Sequence, residues 1–513
     1  MSSARTPLPI DEFLPEIMRQ LGAQSNLVLT AEPGAGKTTR LPPALLSQIR
    51  GKILVLEPRR IAALSSAARI AEENGWELGG NEVGYQVRFD NKTRASTRLV
   101  FLTEALLVRK MLQDPELKEV GCVVLDEFHE RSLHTDLALA LVKELQELSR
   151  PDLKIVVMSA TLDAEPLARY LGTESIARVP GRTFPLTTHY DGKSQSLRTG
   201  PDFIERLTLL TLKAFGEEPE GDVLVFLPGR GEIETVRESL EGKLRGSRLT
   251  NPPEVLPLHG QLSLEEQRRA ILPRQNGRKI ILATNVAESS LTVQGVSTVV
   301  DSGLARLSQL HPKTGFASLD LVRISRASAT QRAGRAARTQ PGSVYRAWST
   351  HDELSMKPFE APEITRSELA ETVLLLSSLG ITQPESLSWF ESPPPGALKK
   401  ASDFLKFIDA LDAEGRLTDL GQKMRGFPLH PRLAKLLILS HEQGFAETGA
   451  ELAALLSDRL PSPASRAGQE NDLLDTWEAW NREPSRFRSL EKTKRQLLQS
   501  LSSPSKKRPS SLA

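Results

Sequence analysis

The chain has 513 residues, 39% hydrophobic and 25% charged, the balance of a water-soluble globular protein too long for a single core, so about three or four domains are expected. Lys and Arg number 66 against 64 acids, a net charge of +2, which excludes a nucleic-acid binder that works by bulk charge and leaves only a local surface for that role. One cysteine, Cys122, excludes an internal disulfide, and the absence of a basic N-terminal region followed by an apolar stretch, or of any long uncharged apolar run, points to a cytoplasmic protein with no membrane partner.

In chain order, short apolar runs ending in polar or glycine-rich loops recur through the first two thirds. They are 26–30 (NLVLT), 52–58 (KILVLEP), 97–103 (TRLVFLT), 121–127 (GCVVLDE) and 154–161 (KIVVMSAT), with helical patterns such as 103–112 between them. None alternates apolar with polar, as expected of strands buried on both faces of a parallel sheet. Cys122 lies in one of these runs and reads as a small buried hydrophobe. A second series follows at 222–229, 279–285 and 296–303, joined to the first through the turn-rich VPGRTFP at 179–185. The expected fold is α/β, with two such domains in tandem. After about residue 350 the pattern becomes helix on helix. Thr365 and Glu368 have the spacing of a capping box before apolar positions 369, 373 and 376. A small winged or helical unit is expected over 416–444, with a further helix after Pro431. A loop at 460–470, a helix holding Trp477 and Trp480, and a disordered tail with a basic triplet at 506–508 complete the chain.

The stretch AEPGAGKTT (31–39) follows a predicted strand and opens a predicted helix. Gly34 and Gly36 allow the backbone to turn its N–H groups toward a β-phosphate, Lys37 reaches the β- and γ-phosphates, and the Thr38 hydroxyl is a Mg²⁺ ligand. Ala31 stands where the phosphate-loop pattern has glycine, and serves if its φ is negative. Asp126 and Glu127 follow another strand at the carboxyl edge of the sheet, where Asp126 can hold Mg²⁺ through water and Glu127 can orient the attacking water. No Cys/His cluster surrounds His129, which reads as a polar coupling residue at a domain cleft. From the second α/β domain, QRAGRAAR (331–338) places Arg332, Arg335 and Arg338 in and just before a helix, where Arg335 and Arg338 share a face and can act as fingers once the domains close.

The ordered set AEPGAGKTT, EPRRIAALSSAAR, GYQVRF, TEALL, DEFHER, MSATLD, VFLPGRGEIE, ATNVAESSLT and QRAGRAAR resembles the DEAH/RHA-type superfamily-two helicases, and DEFHER with EPRR resembles the bacterial HrpB-type branch. The resemblance covers about residues 8–450. It implies an ATP-dependent RNA helicase built from two RecA-like domains (1–178 and 179–350), a winged-helix domain (351–428), a helical ratchet-type domain (429–500) and a tail (501–513). It implies ATP, or another NTP, with Mg²⁺ as cofactors. Gly34, Ala35, Gly36, Lys37, Thr38 and Thr39 then bind phosphates, Thr38, Asp126 and Glu127 handle Mg²⁺ and its water, Gln331, Arg335 and Arg338 complete the site from the second domain, and Arg69 stacks on the base. Ile271 falls where an aromatic base partner is usual, so weak base selectivity is expected. Ala337 replaces a glycine, and a methyl there is tolerable in a helix. Arg59, Arg60, Thr103, Thr284 and Asn285 match strand-contacting positions, and Ser159 and Thr161 of SAT, with His129, match coupling positions. The implied partner is single-stranded or overhang-bearing RNA, with 3′-to-5′ travel. Action on DNA is the alternative, as is a remodelling RNA-binding scaffold with little unwinding, because chains of this branch continue beyond the point where this sequence ends in a polar tail.

Overall fold

The structure is a computed structural model. It describes residues 7–502 apart from 33, 88–89, 161–163, 182–183, 195, 248–250, 275–276, 289–292, 311–316, 339 and 458–471. Thr161, the loop at 460–470 and the basic triplet at 506–508 therefore lie outside the described residues.

Two compact units are present: residues 1–367 with 388–391, and residues 368–387 with 392–513. The first holds two α/β lobes. Lobe one is an eight-stranded sheet made of β1 (Asn26–Ala31), β2 (Lys52–Glu57), β3 (Val83–Val87), β4 (Asp90–Lys92), β5 (Leu99–Thr103), β6 (Val120–Leu125), β7 (Lys154–Ser159) and β8 (Ile176–Val179). Their order is β4-β3-β5-β2-β6-β7-β1-β8, and only β4 runs antiparallel to its neighbour. The five predicted strands are all here. Leu27, Val28 and Leu29 are each fully buried, because helices cover both faces and successive residues point to opposite ones. Cys122 is fully buried within the same core. The strands that composition did not reveal are short or polar edge segments, such as DNK in β4.

Lobe two contains β9 (Leu186–Tyr190), β10 (Asp222–Phe226), β11 (Glu254–Leu258), β12 (Lys279–Ala283), β13 (Val296–Asp301), the antiparallel pair β14 (Leu304–Leu310) and β15 (Ala317–Arg323), and β16 (Gly342–Arg346). Six of these form a parallel sheet ordered β11-β12-β10-β13-β16-β9. Val223, Val225 and Ile280 pack on one face with Leu207 and Val236 from the helices Pro201–Glu217 and Arg230–Arg245. Leu224, Phe226 and Ile281 pack on the other with Ala333 and Ala336. Of the joint expected at 179–185, Val179 ends β8, β9 begins at Leu186, and residues 182–183 lie outside the described residues.

The second unit is helical, with helices at Ala370–Ser378, Pro395–Phe407, Asp419–Met424, Pro431–Glu442, Ala446–Ser457, Asp472–Arg482 and Arg488–Ser502. The helix after Pro431 and the one holding Trp477 and Trp480 stand as predicted. Leu369, Val373 and Leu376 are buried as expected. The capping box is a correction. Thr365 closes a short 3-10 turn and bonds back to the Pro362 carbonyl at 2.8 Å, so the helix begins later, with the Ala370 N–H donating to Glu368 Oε1 at 3.0 Å. The other oxygen of Glu368 pairs with His430 Nε2 at 2.9 Å, a long-range bond that local spacing does not encode.

At the carboxyl edge of the lobe-one sheet, Glu104 opens the helix Glu104–Met111 and is buried, accepting bonds from the hydroxyls of Ser132 (2.9 Å) and Thr135. Burial, against the pull of those hydroxyls, pushes its carboxyl from about 4.5 up to about 7. A carboxyl raised in this way contributes stability below its ordinary value and loses it as pH rises through the folded value. Stability is therefore expected to fall by about 3 kcal/mol between pH 4.5 and pH 8 through this group. Melting curves of the natural chain and of Glu104→Gln across that range check this: the variant should have the flatter slope, and equal slopes would refute the assignment.

Candidate active site

The phosphate-loop region is set by the end of β1. Ala31 closes that strand in extended backbone, buried at its edge, and pairs with Val179, so the glycine missing at this position is not needed for the turn. The left-handed residues come later, Gly34 at φ +86° and Gly36 at φ +96°. A Cβ on Gly36 would approach Leu8 Cδ1 to 2.7 Å, because the short turn Pro9–Glu12 packs on the loop and the Ile10 N–H donates to the Ala35 carbonyl at 3.0 Å. Gly36 then caps the helix Lys37–Leu45, whose free N–H groups face the loop. Thr39 lies in its first turn, with its N–H directed to the Gly36 carbonyl at 3.2 Å.

β7 lies between β1 and β6 in the sheet, so the loops after β1 and β6 converge over its end. Lys37, only 7% exposed, places Nζ 3.0 Å from both oxygens of Glu127. The Thr38 hydroxyl donates to Asp126, whose other oxygen accepts the Glu127 N–H at 2.7 Å. Glu127 itself has φ +50°. That conformation costs on the order of 1–3 kcal/mol in a residue with a Cβ, and persists only where surrounding contacts fix it. Burial favours the neutral form of Glu127, but Lys37 and His129 outweigh it and hold this carboxyl below the usual range. Burial pushes the Asp126 carboxyl up against the pull of Lys37. Lys37 stays firmly protonated, since Glu127 and Asp126 outweigh its own burial. One hydroxyl and one carboxylate side by side are hard oxygen donors of the kind Mg²⁺ accepts, with phosphate and water filling its remaining positions. Among the described residues no three His, Cys, Asp or Glu side chains form a protein-only metal cage.

Lobe two faces this cluster with arginines. The helix Arg326–Ala333 starts at the Ser325 cap and ends before Arg335, so the expected placement is corrected: Arg332 lies in its last turn, while Arg335, Ala337 and Arg338 follow in turn and bend. Ser325 starts the helix earlier than the arginine spacing suggests, since its hydroxyl accepts the Ser328 N–H at 3.2 Å. Arg335 is buried and donates through Nε to the Glu288 carbonyl at 2.9 Å, and through a second nitrogen to the same oxygen. Burial and the neighbouring Arg338 push its guanidinium well below the usual range, while Glu127 attracts it. Arg338 is pushed down to about 10 by burial and is likewise attracted by Glu127. Arg332 turns inward instead, bonded to Glu288 at 2.8 Å and Asp301 at 3.0 Å.

Two contacts tie the lobes directly. His129 Nε2 meets the Gln331 side-chain amide at 2.8 Å, while its Nδ1 accepts the Ala160 N–H at 3.3 Å and lies 3.5 Å from Glu127. Arg59 donates to the Asn285 carbonyl at 2.8 Å and to Glu130 at 3.2 Å.

Residues 11–169 match the family described as DEAD/DEAH box helicase, 203–340 the helicase conserved C-terminal domain, and 403–429 the winged-helix helicase-associated domain HA2. The chain is 41% identical over 454 residues to the protein named ATP-dependent RNA helicase HrpB from Escherichia coli K12, covering 88% of this chain and 55% of that one. It also matches the crystal structure of the Escherichia coli DEAH/RHA helicase HrpB, with a TM-score of 0.82 and 38% identity over 97% of this chain and 61% of that one. The chain belongs to the DEAH/RHA helicases, in their HrpB-type branch. A second crystal structure, of the E. coli DExH-box NTPase HrpB, matches with a TM-score of 0.78 at 38% identity, covering 97% of this chain and 59% of that one. This DEAH/RHA chain thus spans a little over half the length of the curated relative, 55%.

The remaining positions expected from the DEAH/RHA resemblance fall at the carboxyl ends of strands. Arg59 and Arg60 follow β2, Thr103 closes β5, Thr284 and Asn285 follow β12, and Ser159 closes β7, fully buried. Arg69, half-exposed, pairs with Glu73 at 2.8 Å, and Glu73 also holds Arg40 at 2.5 Å. Ile271 packs partly buried against the core of lobe two. Two residues escaped sequence reasoning. Glu288 orders both Arg332 and Arg335, and Glu57, fully buried at the end of β2, is pushed well up by burial and by Asp126. Both lie inside quoted motifs, ATNVAESSLT and EPRR, but their partners are distant in sequence and no spacing rule selects them.

Proposed function

We propose that this chain hydrolyses ATP, or another NTP, at the seam between the two lobes and uses the cycle to travel 3′ to 5′ along single-stranded RNA, unwinding duplexes it meets. The observation that carries this reading is the facing of Lys37, Asp126 and Glu127 from one lobe by Arg335 and Arg338 from the other, with Glu127 attracting both arginines. Lys37 and the loop N–H groups would bind the phosphates. Mg²⁺, held through Thr38 and Asp126, would supply neutralising charge at the phosphate oxygens. Glu127, kept ionised, is suited to orient the attacking water and take its proton. Arg335 and Arg338 would stabilise charge that develops in the transition state. The His129–Gln331 contact would report the state of the site to the seam. The four-part division at 178, 350 and 428, and a cytoplasmic location, belong to the same proposal. Among the described residues no helix is long and apolar enough to cross a membrane.

Arg59, Arg60, Thr103, Thr284 and Asn285 would grip the strand, chiefly at phosphate and sugar. Phosphate release is therefore expected to rise on adding poly-RNA. The RNA concentration for half-stimulation should increase with salt at a log–log slope of about 1.5 if two arginines meet phosphates. Equal stimulation by single-stranded DNA would remove the RNA preference, and a slope near zero would remove the phosphate contacts. Strand displacement confined to substrates with a 3′ overhang checks the direction.

A further inference from the structure

The turn that carries Glu127 and His129 is held from its far side by a segment distant in sequence. The chain leaves the first unit after residue 367 and returns to it for four residues only, Ser388–Glu391. Two of the four, Phe390 and Glu391, touch the DEFHER turn, and Phe390 and Ser388 touch the neighbouring Tyr170. The ring of Phe390 meets Phe128 at 5.8 Å and Tyr170 edge-on at 5.3 Å, and the Arg131 guanidinium sits over Phe390 at 4.8 Å. Glu391 pairs with Arg131 at 3.2 Å, and the Tyr170 hydroxyl donates to the Ser388 carbonyl at 2.5 Å.

We infer that Ser388–Glu391 is a strap whose Phe390 and Glu391 act as positioning residues for hydrolysis, fixing the turn that aims Glu127. The inference rests on the NTPase reading above. The turn needs such a constraint. Glu127 at φ +50° and Arg131 at φ +45° are both left-handed residues with a Cβ, and they bracket the three-residue 3-10 turn Phe128–Glu130. Two such residues within five positions relax unless both ends are pinned. At the first end Lys37 pins Glu127. At the second end Arg131 is held by Asp136 at 2.9 Å, by the Glu363 N–H on its carbonyl at 3.0 Å, and by the strap. Phe128, fully buried, is the residue through which strap and turn touch ring to ring.

The test compares the full chain with Phe390→Ala and Phe390→Tyr, measuring amide exchange and NTP turnover in saturating poly-RNA. In Phe390→Ala, the amides of Glu130 and Arg131, which bond to the Glu127 and Phe128 carbonyls at 2.9 and 3.1 Å, are expected to exchange at least about tenfold faster. kcat should fall about tenfold with the nucleotide KM within about twofold. Phe390→Tyr should keep both near the natural values, since it preserves the ring contacts. Unchanged exchange, turnover within twofold of the natural chain, or faster exchange spread equally through β1 and β6 would overturn the strap. Absence of turnover by the natural chain would instead sink the hydrolysis reading, and the exchange result alone would then decide whether the strap fixes the turn.

Discussion

Glu127→Gln is expected to cut NTP turnover about a thousandfold while leaving nucleotide binding largely intact. A positioned general base contributes roughly 10²–10⁴ in rate. Glu127 is available for this role because Lys37 and His129 keep its carboxyl ionised despite its burial, the state a proton acceptor needs, although the same pull lowers its basicity. Glutamine keeps the shape and the chance of a bond to Lys37 but cannot take a proton. The phosphate-binding groups, the loop N–H groups and Lys37, remain. Lys37 also keeps Asp126 as a nearby carboxyl, so the substitution does not strand a buried cation without a partner. The chain should therefore stay folded and bind a fluorescent nucleotide with near-natural affinity. Single-turnover phosphate release alongside that binding measurement decides the matter. Turnover within tenfold of the natural chain would remove Glu127 from the chemistry, and parallel loss of binding would show that its role is to hold Lys37.

Much of the fold was legible because the central strands are buried on both faces. Leu27 to Leu29, Ile53 to Leu56 and Val123 to Leu125 are uninterrupted apolar runs for a physical reason, coverage by helices on each side. What escaped was governed by position in the sheet. β4 (DNK), β9 (LTTHY) and β11 (EVLPL, with Pro257) are edge strands, free to be polar or to hold a proline because one side pairs with no strand among the described residues. β16 (GSVYR) lies inside its sheet but opens with glycine and serine, which masked it. The same division holds for the site. Gly34, Gly36, Lys37, Thr38, Asp126 and Glu127 could be read because each sits at a fixed offset from the end of a buried strand. The exchange of bonds among Glu288, Ser328, Arg332 and Arg335 could not, since it joins residues about forty positions apart. The expected helix through Arg335 and Arg338 failed for a related reason. Intrinsic preference favours helix there, but the Glu288 carbonyl takes both Arg335 nitrogens and the chain turns to reach it.

That arrangement makes Arg335→Ala the other substitution with a large expected effect, a loss of about 10³ in kcat with the nucleotide KM changed only several-fold. An arginine brought to a transferring phosphoryl group from a second domain is worth roughly 10³–10⁵. Arg335 is buried on the lobe-two side of the seam, attracted by Glu127, with its fork fixed by two bonds to one carbonyl. Arg335→Lys should not restore the rate, because a single ammonium cannot hold the Glu288 carbonyl through two nitrogens and still present a planar donor face. Arg332 supplies the contrast. It lies three residues away, but its charge is spent inside lobe two on Glu288 and Asp301, so Arg332→Ala leaves the buried Asp301 and the half-buried Glu288 without their cation and should cost about 3–5 kcal/mol of stability. Melting temperature and single-turnover rate measured on both variants separate the roles. Arg335→Ala should melt near the natural chain and barely turn over, whereas Arg332→Ala should melt early. If Arg335→Ala retained more than a tenth of the natural kcat, the two lobes would not share one reaction, and the facing of their charges across the seam would be a packing feature alone.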